Sequence, residues 1–296
     1  MTERVITLPG GVELCVEPFG DAADPALLLV GGAAASMDWW DVAFCERLAA
    51  GGRYVVRYDH RDTGRSSASP AGAPTYSGDD LATDPLAILD ALGVARAHLA
   101  GLSMGGGITQ QLAAHHPDRL LSLTLISSSP AGERQDRRDL PPPAPRVAET
   151  FADPPPAPDW DDRDAVVTYL VEGERPYAGS LGFDEQRVRR VARVVVDRTR
   201  DIAATMTNHW LLAGESGQPF RLADIGVRTL VLHGTDDPMF PLAHGEALAA
   251  EIPDATLVPL EGMGHQVPPP VLWDVVVPAL LAHTAQRSRR TTNRRR

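Results

Sequence analysis

Residues 97–114 read AHLAGLSMGGGITQQLAA, and this stretch narrows what the chain can fold into more than any other. Ala97–Ala100 has the length and apolar character of a buried strand, Gly106–His115 that of a helix, and Gly101-Leu102-Ser103-Met104-Gly105 joins them. That is strand, G-x-S-x-G, helix, with the serine at the tip of a turn too sharp for side chains two residues to either side. Ser103 is lifted clear of the sheet and becomes a candidate nucleophile. The free N–H of Met104, at the helix N-terminus, faces the place where negative charge develops when a carbonyl is attacked. Because G-x-S-x-G also arises by chance, the context has to carry the assignment.

The context is an alternation of strands and helices. Thr2–Leu8 and Val12–Phe19 flank Pro9-Gly10-Gly11 and suggest an antiparallel pair. Ala26–Val30 (ALLLV) is wholly apolar, as expected of a strand covered on both faces, and runs into Gly31-Gly32-Ala33. A helix capped by Ser36 or Asp38 is expected through Trp39, Trp40, Phe44 and Leu48, then a strand at Arg53–Tyr58. Asp80–Leu92 reads as helical, with Pro85 expected to kink it or to mark its first turn. Leu120–Ile126, Arg228–Leu232 and Thr256–Leu260 supply further strands, with helices at Ala243–Glu251 and Pro270–His283. Such alternation predicts an α/β chain with a mostly parallel central sheet flanked by helices. It breaks at Ser127-Ser128-Ser129-Pro130. Proline clusters and helical stretches at Asp161–Glu172, Asp184–Arg200 and Asp201–Ala213 follow, so residues 130–222 read as an inserted helical cap between core segments 1–129 and 223–286.

Composition removes whole classes of chemistry. All 28 basic residues are arginine, which excludes a Schiff-base lysine, pyridoxal phosphate attachment and a phosphate-binding P-loop lysine together. The net charge of −11 includes an Arg-rich tail at 287–296, expected to be a disordered end, so the body is more acidic still and argues against nucleic acid as a partner. No apolar run approaches a membrane span, and MTERVITLPGG lacks the layout of a signal peptide, which predicts a cytoplasmic protein with Cys15 and Cys45 reduced and buried.

An activated serine needs a base, and the base needs a group that fixes its tautomer. On parallel sheets these come from loops after later strands, in the order serine, acid, histidine. Thr235-Asp236-Asp237-Pro238 follows one strand and Glu261-Gly262-Met263-Gly264-His265 the last, with glycines that let the His265 ring reach Ser103. The other histidines lie on helices, strand ends or a polar loop, and fit less well. Pro238 biases Asp237 towards a defined extended geometry and leaves Asp236 free to face solvent, which favours Asp237 as the acid. Gly31-Gly32-Ala33 is the expected source of the second oxyanion donor, with Ala33 N–H first and Gly32 next.

These segments resemble the α/β-hydrolase superfamily from about Val5 to Thr284. Tyr58-Asp59-His60-Arg61-Asp62-Thr63-Gly64-Arg65-Ser66, Gly101–Gly105 and Gly262-Met263-Gly264-His265 are similar to the bacterial aclacinomycin methylesterase group, which hydrolyses a methyl ester on an anthracycline. The resemblance implies Ser103 as nucleophile, His265 as base, Asp237 as orienting acid, and Ala33 and Met104 as oxyanion donors. It also implies a small alkoxy leaving group on a bulky acid. The chain departs from the pattern at Gly31, where many members carry histidine. The Asp59–Ser66 loop reads as support near the site.

The expected activity is cleavage of a small-molecule carboxylic ester through an acyl-enzyme, with no metal and no organic cofactor. A lactonase, a thioesterase or a cofactor-free perhydrolase would use the same triad. A non-catalytic binding module would be expected to lose a triad member, and none is missing. A dinucleotide-binding domain fails because G-x-G-x-x-G from Gly31 would need glycine where Ala33 and Ser36 stand. Within the cap, Asn208, His209 and Trp210 are the candidate substrate-binding residues, joined by Gly32 from the core, with Trp160 and Tyr169 less favoured.

Overall fold

The structure, a computed structural model, describes residues 2–136, 138–212 and 218–285; the Arg-rich tail at 287–296 lies outside the described residues. Eight strands form one sheet: β1 (Arg4–Thr7), β2 (Glu13–Phe19), β3 (Ala26–Val30), β4 (Tyr54–Tyr58), β5 (Ala97–Leu102), β6 (Leu120–Ile126), β7 (Thr229–Gly234) and β8 (Thr256–Leu260). Their spatial order is β1-β2-β4-β3-β5-β6-β7-β8, antiparallel at β1/β2 and β2/β4 and parallel from there on. Every residue of β3, β4, β5 and β7 is buried, because helices cover both faces. Two apolar clusters fill those faces, one including Leu28, Val56, Leu99 and Leu123, the other Leu29, Val55, Phe44 and Trp273.

The strand order reverses at β3, which pairs with β4 on one side and β5 on the other. The turns that leave β3 and β5 therefore emerge side by side at the C-terminal edge, where open α/β sheets bind ligands. This places the Gly31–Ala33 turn next to Ser103.

The helices are α1 (Val42–Ala50), α2 (Gly78–Ala91), α3 (Met104–His115), α4 (Pro145–Ala152), α5 (Arg163–Glu174), α6 (Glu185–Arg198), α7 (Ile202–Leu211), α8 (Ala243–Glu251) and α9 (Trp273–His283). The first departs from expectation. Ser36 opens only a short 3-10 turn at Met37–Trp39 and makes no side-chain cap, whereas Asp41 accepts from the Ala43 N–H and begins α1. The competing partner explains the difference, since the Ser36 hydroxyl donates instead to the Asp38 carboxylate. In α2, Ser77 and Asp80 form a capping box ahead of the expected start, and Pro85 lies inside the helix. The helix α4 was not among the expected helical stretches; it carries Val147 and Phe151 one turn apart, and Pro145 at its first turn marks its start.

Helices α4 to α7 all fall between β6 and β7, and α5 packs on α6 through a small core of its own that includes Val167, Leu170, Val171, Val188 and Val195. This insertion is anchored to the sheet by buried polar contacts. Arg198, in the last turn of α6, reaches Glu3 at 2.8 Å, Asp38 at 2.5 Å and Asp59 at 2.8 Å. Asp59 is fully buried and also accepts from the Met37 and Arg65 N–H groups. Removing one partner from such a group strands the remaining charges in a medium that solvates them poorly. The Asp59–Ser66 loop thus serves as support, with Arg61 forming two hydrogen bonds to Asp84.

Candidate active site

Ser103 stands between β5 and α3 with φ 52 and ψ −116, a left-handed conformation that costs a non-glycine residue about 1–3 kcal/mol. Its surroundings hold it there. The Ser103 N–H donates to the Ile126 carbonyl at 3.0 Å, and the Ser103 carbonyl accepts from Gly106 and Gly107 to begin the helix. The flanking glycines are required by contact, because a Cβ at Gly101 would lie 2.2 Å from the Gly105 carbonyl oxygen and one at Gly105 would lie 2.4 Å from that of Gly31.

The Ser103 hydroxyl donates to His265 Nε2 at 3.0 Å. On the other edge of the ring, His265 Nδ1–H faces both Asp237 oxygens, at 3.1 and 2.9 Å. The tight approach of the His265 turn needs Gly264, where a Cβ would meet the Tyr177 carbonyl at 2.1 Å. That same carbonyl accepts from the His265 N–H at 2.9 Å. Phe240 closes on the ring edgewise at 5.3 Å between centroids.

The Asp237 side chain is wholly buried, and its Oδ1 accepts from the Met239 and Phe240 N–H groups. Burial pushes its carboxyl up, but the hydrogen bond and charge of His265, with the Phe240 N–H, outweigh that and hold it below the usual carboxylate range. Asp236 is exposed and accepts from the Ser180 N–H at 3.1 Å, away from the histidine.

Ala33 and Met104 both line the cavity beside Ser103, and among the described residues no group engages either N–H. Gly32 lies against the nucleophile, with the position of a Cβ there 3.6 Å from Ser103 Cβ. The imidazole of His60 supports this turn from outside by donating to the Gly31 carbonyl at 3.1 Å.

The α7 residues divide. His209 lines the cavity, but both ring nitrogens are occupied: Nδ1 accepts from the Ala34 N–H at 2.9 Å, and Nε2–H donates to the Arg61 carbonyl at 2.8 Å. Asn208 is buried and does not line the cavity; it accepts from the Gly72 N–H and donates to Asp62 and to the Pro70 carbonyl. Asn208 was expected to meet substrate and instead ties the insertion to the core, because a buried amide must satisfy all its bonds and the loop carrying Asp62 supplies them. Trp210 does line the cavity, 44% exposed, with its ring 5.8 Å from Phe151. Tyr169 also faces the cavity, and Trp160 packs behind it.

The cavity has a volume of about 1230 Å³ and lies between the C-terminal edge of the sheet and the insertion. Its walls are mainly apolar, with Trp39, Leu102, Phe151, Phe183 and Phe240 among them. Four charged side chains interrupt them: Glu133 and Glu172, both exposed, Glu174 at the end of α5, and Arg187 in the first turn of α6. Burial pushes the Glu174 carboxyl up to about 7 against the pull of His265 and Arg187. Nothing local marks Glu174 or Arg187 in the sequence, since each sits among many exposed charges in a helical stretch and only the folded chain turns it inward. Among the described residues no three His, Cys, Asp or Glu side chains converge to hold a metal, and no helix is long and apolar enough to cross a membrane.

Residues 25–268 match the family described as alpha/beta hydrolase fold. The chain is 34% identical to rhodomycin D methylesterase of Streptomyces sp. (strain C5) and 33% identical to that of Streptomyces peucetius, in each case over 96% of this chain and 98% of the relative. Among solved structures, that of a hydrolase from Pseudomonas aeruginosa PA01 superposes with a TM-score of 0.71 at 27% identity, covering 96% of this chain and 99% of the other.

Proposed function

This chain belongs to the alpha/beta hydrolase fold family and is a serine ester hydrolase, and on that premise we propose that Ser103 is its nucleophile, His265 its general base and Asp237 the carboxylate that orients the base. The observation that carries the assignment is the unbroken chain of hydrogen bonds from Ser103 Oγ through His265 to buried Asp237. Ser103 Oγ bonds to the ester carbonyl carbon while His265 Nε2 takes its proton. The oxygen that becomes negative is held by the N–H groups of Ala33 and Met104. His265 then gives the proton to the departing alkoxide, which leaves as the alcohol. Water, deprotonated by the same ring, attacks the acyl-enzyme and releases the acid with Ser103 restored.

His209 is a positioning residue in this reading, because its bond to Ala34 N–H holds the turn that presents Ala33. His209→Ala should lower kcat about 10- to 100-fold with KM changed less, short of the loss expected on deleting an oxyanion donor. His209→Gln, which keeps an acceptor there, should recover part of it. An unchanged kcat in steady-state assays of His209→Ala would show that the turn holds itself.

Residues 130–222 act as the cap, and its inner wall with Trp210 selects the substrate. A cavity of about 1230 Å³ with mainly apolar walls suits a bulky, largely apolar acid. The two methylesterase relatives support a methyl or other small alkoxy leaving group. With methyl, ethyl and isopropyl esters of one naphthoic acid, kcat/KM should fall as the alcohol grows, while acetate and naphthoate methyl esters should differ in favour of the larger acid. Preference for the larger alcohol, or for acetate, would overturn this substrate class. A small-molecule partner also suits the acidic body of the chain, which would repel nucleic acid.

A further inference from the structure

Charged side chains on α5 and α6 are, with few exceptions, paired. Arg163 meets Asp197, Arg175 meets Glu172 and Glu185, Arg189 meets Glu185, and Arg198 holds three carboxylates. Glu133 and Glu172 also line the cavity, but both are exposed and Glu172 pairs with Arg175, whereas Glu174 and Arg187 line it half-buried, and among the described residues neither side chain has a hydrogen bond or an ion pair. Arg187 Nε is buried outright with no acceptor. Arg187 feels the charges of Asp41 and Asp184 without touching either, and enclosing a charged group with no direct partner is unfavourable, so an apolar residue at either position would be better for folding alone. A cavity that keeps two such groups is complementary to something that enters it.

The chemistry of the pair restricts what that is. The Glu174 carboxyl, pushed up to about 7, accepts hydrogen bonds when ionised and both accepts and donates when protonated, while the guanidinium only donates them. A cation drawn to Glu174 meets the field of Arg187, and an anion drawn to Arg187 meets that of Glu174, because the two groups sense each other's charge. A neutral hydroxyl both donates and accepts, so it satisfies both without bringing a net charge into apolar walls. We propose that Glu174 and Arg187 form a polar subsite for a neutral, hydroxylated acyl group, so that the enzyme selects hydroxylated bulky esters over plain hydrocarbon esters of equal size. The proposal rests on the esterase reading and adds the feature by which that site tells one bulky acid from another.

Methyl 2-naphthoate and its hydroxy derivatives, substituted at successive ring positions, test it. In the wild-type enzyme a hydroxyl at one or more positions should raise kcat/KM about 10- to 100-fold over the parent, mainly through KM, as expected for a hydrogen bond to a charged group. The ratio of hydroxylated to parent kcat/KM should fall towards one in Glu174→Leu and in Arg187→Met, and Glu174→Gln should retain part of it. An ammonium or carboxylate group at the preferred position should lose the gain. No preference in the wild-type enzyme, or a preference that survives in both Glu174→Leu and Arg187→Met, overturns the subsite while hydrolysis of the parent ester leaves the esterase reading standing. Failure of the wild-type enzyme to hydrolyse any of these esters, with Ser103 unlabelled by a serine-directed phosphonate, overturns both. Using ratios within one protein separates selection from any general loss of folding in a variant.

Discussion

Ser103→Ala should lower kcat by about 10⁴- to 10⁶-fold, leaving the residual catalysis that binding and an oxyanion hole provide without a nucleophile. The fold should survive. Alanine keeps a Cβ, so the substitution adds no clash at the turn, and the left-handed backbone is held by Ser103 N–H and carbonyl bonds that do not involve the hydroxyl. Only the hydrogen bond from Oγ to His265 disappears, while His265 remains held by Asp237 and by the Tyr177 carbonyl. The thermal midpoint should therefore stay within a few degrees of the wild type. Single-turnover kinetics and phosphonate labelling check the chemistry, and a Ser103→Ala protein with activity within tenfold of the wild type would rule out Ser103 as the nucleophile.

The second large effect separates two adjacent carboxylates. Asp237→Asn should lower kcat by about 10⁴-fold, whereas Asp236→Asn should change it less than about twofold. The reason lies in which atom of the amide would face which neighbour. Oδ1 of residue 237 accepts from the Met239 and Phe240 N–H groups, so an asparagine would keep its oxygen there and turn its NH₂ towards His265. A donor at that place makes Nδ1 the acceptor and moves the ring proton to Nε2, where it can no longer take the proton of Ser103. Asp236 loses nothing comparable, since its carboxylate is exposed and bonds to Ser180 and Thr235, not to His265. Equal losses at the two positions, measured as kcat/KM, would show that the turn acts as a unit and not through Asp237.

What was legible before the fold was known follows from how local each signal is. The strands at Ala26–Val30 and Leu120–Ile126 are apolar throughout because they are covered on both faces, and that is written in consecutive residues. The Gly101–Gly105 turn is equally local. His265 and the Asp236-Asp237 pair could be placed by order along the chain, since parallel strands deliver their loops to one edge. The start of α1 was not legible: Ser36, Asp38 and Asp41 are all good caps, and the choice depends on Asp38 meeting Ser36 and Arg198. Asn208 looked like a substrate contact for the same reason, because its partners Asp62, Pro70 and Gly72 lie far away in sequence. Glu174 and Arg187 are the extreme case, since their distinction, among the described residues, is the lack of a direct hydrogen-bond or ion-pair partner.

The Arg198 cluster also bears on how a large ester reaches an enclosed serine. Swinging the C-terminal half of the insertion outward would pull a guanidinium from three carboxylates and would break the bonds of Thr205, Asn208 and His209 to the loop below. The opposite end is lightly held. In α4 only Val147 is buried, and Arg146 ties it to carbonyls at Pro176 and Ala178 with both partners at the surface. Local unfolding follows such differences in buried contact. Opening at the α4 side, where Phe151 lines the cavity, therefore disturbs fewer buried bonds than opening at the wall that carries the Gly31–Ala33 turn.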